Sequence, residues 1–407
     1  PQMKVIFLQD VKGKGKKGIL MGGFILLLLL IIGGMKWLMD QQSNGEEPTN
    51  ASQTTSTSSL STESSIPEQS TEEETTIDKR IDQMSLEEKV GQLFFVRVPE
   101  INQVEDIQTY HLGGYVLFGR DTENETAETL KQKIADYQQA SSIPLLIGMD
   151  EEGGTVTRIS RNPALVQTPF LSPQQLYQQG GWQAIEEDTA QKAAIFHEYG
   201  ISTGLFPVAD VATDPNAFIY DRTIGLDAEG TSEFVRRNIA VLKEKRIGST
   251  LKHFPGYGNN RDSHVEIVTD ERSLDELETN DFLPFEAGIK AGADSILVSH
   301  NIVTSIDASA PASISKPVHD LLRKQLGFKG VIMTDDMDMA GLADFISQSE
   351  AGLRALEAGN DLVMSSTYQQ QIPVIVDAVR SGNYPEAAID ASVKRVLEWK
   401  TSLGLIN

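Results

Sequence analysis

Eight short apolar runs, rich in β-branched and aromatic residues, recur from about Ile77 to the end of the chain and constrain its fold more than any other feature. They are QLFFVRV (92–98), GGYVLFGR (113–120), PLLIGMD (144–150), STGLFPVAD (202–210), GSTLKHF (248–254), DSILVSH (294–300), GVIMTDD (330–336) and DLVMSS (361–366). Stretches of helical period lie between them, including ETAETLKQKIADYQQAS, TSEFVRRNIAVLKEKR, KPVHDLLRKQLGF and SQSEAGLRALEAG; PEAAIDASVKRVLEWKTSLGL closes the chain. Alternation of buried strand and amphipathic helix implies an α/β fold with a parallel sheet and right-handed crossovers. Eight such units predict closure into a (β/α)8 TIM barrel over 77–407. The rival is an open doubly wound sheet, but no G-x-G-x-x-G follows the first run, so its dinucleotide-binding form lacks its signal.

Several runs finish in a charged or titratable residue: Arg120, Asp150, Asp210, Lys252 with His253, His300, and Asp335 with Asp336. Any one of these is ordinarily a cap or a surface charge. Together they line the C-terminal mouth of the expected barrel, where such folds carry their active sites. Carboxylates, imidazoles and a few cations without a basic phosphate cradle suit polar, hydroxyl-rich ligands such as sugars. The formal charge of −23 makes nucleic acid an unsuitable partner. Cysteine is absent, which excludes disulfides, a thiol nucleophile, Cys-ligated zinc and a lipid-modified cysteine.

The region before the barrel reads differently. Gly18 to Met35 is a stretch of 18 uncharged residues, about the minimum for a bilayer core of roughly 30 Å. Lys12, Lys14, Lys16 and Lys17 precede it, and Lys36 and Trp37 close it. The lysines predict a basic cytoplasmic leader (1–17), a transmembrane signal anchor (18–39) and an extracellular remainder at the cell membrane. A cleaved signal peptide is the alternative, but an Ala-x-Ala-like site is missing; a buried core helix fits the flanks less well. Residues 40–76, rich in Ser, Thr, Glu and Gln, predict a disordered linker, because such a composition buries too little apolar surface to offset the entropy of ordering. Residues 3–17 (MKVIFLQDVKGKGKK) resemble the start of the ninth protein of the large ribosomal subunit; this reads as a leader or gene-start artefact and bears on no function.

Four ordered blocks then carry a resemblance. LKHFPGYGNNRDSH (251–264) resembles the K-H-F-P-G-H-G…D-S-H signature of glycoside hydrolase family 3, closest to its NagZ-type β-N-acetylglucosaminidase branch. DEEGGTVTRI (150–159) resembles that family's D-Q-E-G-G-R-V-x-R segment, and DRTIGLDAE (221–229) its R-S-F-G-x-D-P segment. LLRKQLGFKGVIMTDDMDMAG (321–341) resembles the segment that holds the family's nucleophile. Two departures stand: Tyr257 occupies a place where the family often has His, and the loop from Lys252 to Asp262 is one residue shorter.

A retaining glycosidase needs a carboxylate to attack the anomeric carbon. Asp335, Asp336 and Asp338 all qualify by residue type, and strand alternation alone does not choose among them. The resemblance implies Asp335. The leaving oxygen needs a proton, and the same group must later deprotonate water; an imidazole does both near neutral pH. The resemblance implies His264 as that acid/base, with Asp262 as its partner. It implies further that Asp150, Arg158, Arg222, Lys252 and His253 bind the terminal sugar, although Arg158 and Arg222 also fit as ion-pairing barrel struts. His300 is a further binding candidate. Gly153, Gly154, Gly256 and Gly258 suit tight turns and close backbone approach.

The reaction so implied is retaining hydrolysis of terminal β-linked N-acetylglucosamine, from peptidoglycan fragments or other capped glycans, with no metal or organic cofactor. The alternatives are a β-glucosidase or a phosphorylase of the same family, or a catalytically silent cell-wall binding protein on a stalk.

Overall fold

The computed structural model describes residues 68–260, 267–339, 342 and 345–406. Each of the eight apolar runs forms a strand: β1 Phe94–Arg97, β2 Gly114–Leu117, β3 Leu146–Met149, β4 Thr203–Gly204, β5 Thr250–Phe254, β6 Ser295–Val298, β7 Val331–Thr334 and β8 Val363–Ser365. Every pairing among them is parallel. One ladder runs β8-β1-β2-β3-β4 and another β5-β6-β7.

Two seams join the ladders. At the first, Thr203 bridges Gly248 and Val208 bridges Lys252; the Gly204 N–H donates to the Gly248 carbonyl at 2.8 Å and the Ala209 N–H to the Lys252 carbonyl at 2.7 Å. At the second, Met333 bridges Leu362, and the Thr334 N–H donates to the Leu362 carbonyl at 3.1 Å. The strands therefore close into a ring in chain order, which leaves no strand edge to protect. Glycines make room inside it. A Cβ on Gly148 would stand 2.3 Å from the ring tip of Phe95, so the ring on β1 requires a glycine on β3.

The outer helices form where apolar residues recur one turn apart behind a capping residue. Ala127–Ala140 starts at Thr126, whose side chain accepts from the Thr129 N–H, and buries Leu130, Ile134 and Tyr137. Ala228–Lys245 starts at Asp227 and buries Phe234, Val235, Ile239 and Leu242. The closing helix, Glu386–Ser402, buries Ile389, Val393, Val396 and Leu397.

One feature departs from the sequence-based expectation, and two add to it. The stretch 40–76 is not irregular throughout, because a helix, Glu68–Gln83, begins inside it. Ile77 and Ile81 on that helix are buried, and Asp78 pairs with Lys394 of the closing helix at 2.9 Å, so docking offsets the ordering entropy that composition alone could not. A long helix, Pro173–Tyr199, lies between β3 and β4; it breaks at Gly181, whose φ is 61°. A two-residue ladder pairs Thr269–Asp270 with Ile302–Val303 beside the mouth. Among the described residues no helix is long and apolar enough to cross a membrane. The expected leader, anchor and most of the linker lie outside the described residues.

One buried cation lies in the closing helix. Lys400 is fully buried and donates from Nζ to Gln92 Oε1 at 2.7 Å. Burial, with a smaller contribution from Arg80, pushes its ammonium down from an ordinary 10.5 to about 7. The folded chain then binds fewer protons than the unfolded chain between those two values, so Lys400 makes stability rise with pH across that window. Denaturant unfolding at several pH values from 6.5 to 10 tests this. Lys400→Met is expected to flatten the rise, and equal slopes in both proteins would refute the assignment.

Candidate active site

Past the carboxyl ends of the strands opens a cavity of about 370 Å³, within the range of small-molecule sites. Its lining includes Arg97 and Phe118 from the ends of β1 and β2, Asp150 and Arg158 from the segment after β3, Arg222, Lys252 with His253 on β5, and Asp335 with Asp336 after β7. Lys252 and His253 are neighbours, yet both line it. The β5–β6 register shifts between Leu251 and Phe254, which interrupts the strict alternation of a strand.

A buried charge network forms one wall. Lys252 Nζ stands 2.6 Å from Asp150 Oδ1 and 2.6 Å from Glu152 Oε1. Arg222 clasps Glu152 in a two-pronged pair, Nε to Oε2 at 2.9 Å and Nη2 to Oε1 at 2.8 Å. Burial disfavours the Glu152 carboxylate, but the charges of Arg222 and Lys252 outweigh burial and hold the carboxyl far below its usual range. Arg158 Nη2 approaches Asp150 Oδ2 at 3.5 Å. Glu151 points the other way and anchors the loop: its carboxylate accepts the N–H groups of Arg158 (2.8 Å) and Ile159 (2.9 Å) and the Ser160 hydroxyl. Gly153, at φ 96°, allows the turn between these acids and Arg158; a Cβ there would lie 2.1 Å from the Leu171 carbonyl oxygen.

His253 is fixed on both ring nitrogens. Nδ1–H donates to Asp210 Oδ2 at 2.7 Å, and Nε2 accepts from Arg222 Nη2 at 3.1 Å. A nitrogen that accepts from a guanidinium carries no proton, so the imidazole is neutral; burial, opposed by Asp210, lowers its pKa accordingly. Asp210 also accepts the Tyr257 N–H at 2.7 Å. Tyr257 is buried, with its ring 4.9 Å from Phe218 and 5.0 Å from His253, and so packs the floor of the turn in which the family often has His.

The three acids after β7 separate. Asp335 and Asp336 line the cavity. Asp338 instead accepts from the Ser366 N–H and the Thr367 hydroxyl, tying this turn to the end of β8. Asp336 Oδ2 lies 3.3 Å from Arg97 Nη1, and the Arg97 guanidinium covers the Phe118 ring at 4.1 Å. Burial, with help from the Asp338 and Asp335 charges, pushes the Asp336 carboxyl up to about 6 against the pull of the Asp338 N–H and Arg97.

Asp150, Arg158, Arg222, Lys252, His253 and Asp335 thus share one cavity. His300 does not line it: the side chain is buried, with Nδ1 2.7 Å from Ser313 Oγ and Nε2 2.9 Å from the Asp336 carbonyl oxygen. Arg120 also stays out, pairing with Glu100 at 3.3 Å. Asp262 and His264 lie outside the described residues. Arg97, Phe118 and Glu152 were not singled out from sequence. Arg97 ends the first apolar run's strand and Glu152 sits inside the DEEGG block, so both positions carried a signal. Among the described residues no group of His, Asp and Glu side chains could hold a metal ion.

A barrel with this mouth is a carbohydrate-processing scaffold by its relatives. The glycosyl hydrolase family 3 N-terminal domain matches residues 85–399, and the chain belongs to that family, a family of hydrolases. Beta-hexosaminidase LpqI of Mycobacterium tuberculosis is 32% identical over 330 residues, 78% of this chain and 83% of the relative. A beta-hexosaminidase of Xanthomonas campestris is 34% identical over 259 residues, 62% of this chain and 76% of the relative. Among solved structures, a family 3 beta-N-acetylglucosaminidase from a Paenibacillus species superposes with a TM-score of 0.74 at 27% identity, covering 79% of this chain and 63% of that one. The M. tuberculosis LpqI structure gives 0.73 at 29% identity, covering 80% and 96%.

Lys252 compensates two buried carboxylates at once. Lys252→Met is therefore expected to cost about 3–5 kcal/mol of stability, the usual penalty for leaving a buried partner charge uncompensated. Denaturant unfolding measures it; a loss under about 1 kcal/mol would mean that Arg158 and Arg222 carry the network without the lysine.

Proposed function

We propose that this chain is a retaining exo-glycosidase that hydrolyses terminal β-linked N-acetylglucosamine through a covalent intermediate on Asp335. One observation carries the reading: Asp335 opens onto the same small cavity as Asp150, Arg158, Arg222 and Lys252. An attacking carboxylate thereby shares its cavity with a set of fixed donors and acceptors. The beta-hexosaminidase relatives support the choice of substrate.

In this mechanism the Asp150 carboxylate, steadied by Lys252 and Arg158, accepts sugar hydroxyls, while Arg158 and Arg222 donate to oxygens of the sugar and its acetamido group. Among the described residues the buried Nε–H groups of Arg97 and Arg158, two side chains that line the cavity, have no hydrogen-bond partner. His253 acts as a neutral, oriented imidazole and leaves proton transfer to another group. Asp335 attacks the anomeric carbon, and His264, supported by Asp262, protonates the leaving oxygen. Water then enters with His264 as base, and the glycosyl–Asp335 bond breaks. No metal or organic cofactor takes part.

The same proposal places the enzyme on the outer face of the cell membrane, held by residues 18–39 and set off by the linker, with peptidoglycan fragments or other GlcNAc-capped glycans as substrate. Its support is the uncharged 18-residue stretch behind a lysine cluster.

Asp335→Ala is expected to lower turnover of an aryl β-N-acetylglucosaminide by several orders of magnitude, as loss of a nucleophile does. Near wild-type turnover would end the assignment. Replacing His264 is expected to slow substrates with poor leaving groups far more than activated ones, and an equal loss across leaving groups would remove it from the acid role.

A further inference from the structure

We infer that Asp336 is a positioning residue: bolted to Arg97 of β1 in its ionised form, it holds the backbone turn that aims Asp335. The inference rests on the reading of Asp335 as nucleophile and adds to it a second carboxylate with a different task.

The turn is held at all four polar groups of Asp336. Its backbone N–H donates to Asp335 Oδ1 at 2.8 Å, so the attacking carboxylate takes its orientation directly from this peptide. Its carbonyl oxygen accepts from His300 Nε2 at 2.9 Å. Since a carbonyl only accepts, Nε2 carries the proton, and Nδ1 lies 2.7 Å from the Ser313 hydroxyl. Its Oδ1 accepts the Asp338 N–H at 3.0 Å, and its Oδ2 takes the Arg97 guanidinium at 3.3 Å. The last of these ties the turn to the carboxyl end of β1, beyond the neighbouring β8. Asp336 and Arg97 are 239 residues apart in sequence, and nothing local brings them together.

The charged and titratable groups that face Asp336 are Asp335 and Asp338 on its own turn, Arg97 on β1, and His300 after β6, whose Nε2 donates to its carbonyl. Two carboxylates favour its neutral form and one guanidinium favours its anion. When Asp336 takes up a proton the ion pair with Arg97 is lost, the turn is released on that side, and the peptide N–H that orients Asp335 is no longer held in place. Ionised Asp336 is then the active form, and activity falls as pH drops through the value near 6 to which burial raises this carboxyl.

The test is a pH profile of kcat and KM on an aryl β-N-acetylglucosaminide for the full chain and its variants. Asp336→Asn keeps the acceptor for the Asp338 N–H but presents an amide to Arg97. It is expected to lower kcat about 10- to 100-fold, the scale of a misplaced reacting group, with KM within about threefold and the acidic limb near pH 6 absent. Arg97→Met is expected to move that limb to higher pH, and Arg97→Lys to restore part of the shift. Wild-type kcat with an unchanged limb in Asp336→Asn overturns the inference. Should that variant not fold, an unmoved limb in Arg97→Met overturns it equally. Asp335→Asn separates the two levels. If it stays active, the nucleophile reading itself falls; if it is inactive while Asp336→Asn behaves as wild type, only the role of Asp336 falls.

Discussion

The structure hangs on one buried ionic lattice across the ends of β3, β4 and β5. Three carboxylates, Asp150, Glu152 and Asp210, meet three cations, Arg158, Arg222 and Lys252, with neutral His253 bridging Arg222 to Asp210. Charges removed from water to this degree are tolerable only when each has a partner and each partner is fixed. The lattice therefore constrains the fold as much as the fold constrains it. Lys252 reaches Asp150 and Glu152 only if β5 returns beside β4 and β3, and that return is the first seam of the barrel. The same lattice prepares donors and acceptors before any sugar arrives, so binding costs little reorganisation.

The cluster of acids after β7 shows how one short segment distributes tasks. Strand pairing ends at Thr334, and beyond it the backbone turns rather than alternates. Asp335 opens to the cavity, Asp336 pairs with the first strand, and Asp338 fastens the turn to the last. Chemically equal side chains differ here only in their neighbours. The environment that raises the Asp336 carboxyl includes the charges of Asp335 and Asp338, so the three cannot be understood apart.

Much of the architecture was legible in residue order. Strand and helix periods, capping residues such as Thr126 and Asp227, and titratable residues at strand ends report local physics, and local physics is what a sequence displays. The misses have the opposite character. The helix Glu68–Gln83 is polar by composition and owes its order to Ile77 and Ile81 docked on the closing helix. His300 ends a strand like the binding residues do, yet its ring turns to Ser313 and the Asp336 carbonyl. Arg97 looks like an ordinary strand terminus until Phe118 and Asp336 stand beside it.

The sequence by itself determined the α/β alternation, the number of barrel strands, the family, and the set of charged residues at the mouth, because each follows from pattern and residue type along a continuous stretch. Tertiary structure alone decided which acid pairs with which cation, which imidazole is neutral, and which two of three aspartates line the cavity while the third turns to β8. Those outcomes depend on groups brought together from strands a hundred or more residues apart, such as Lys252 with Asp150, where burial and a neighbour's charge, rather than residue type, set the protonation and the direction of each side chain.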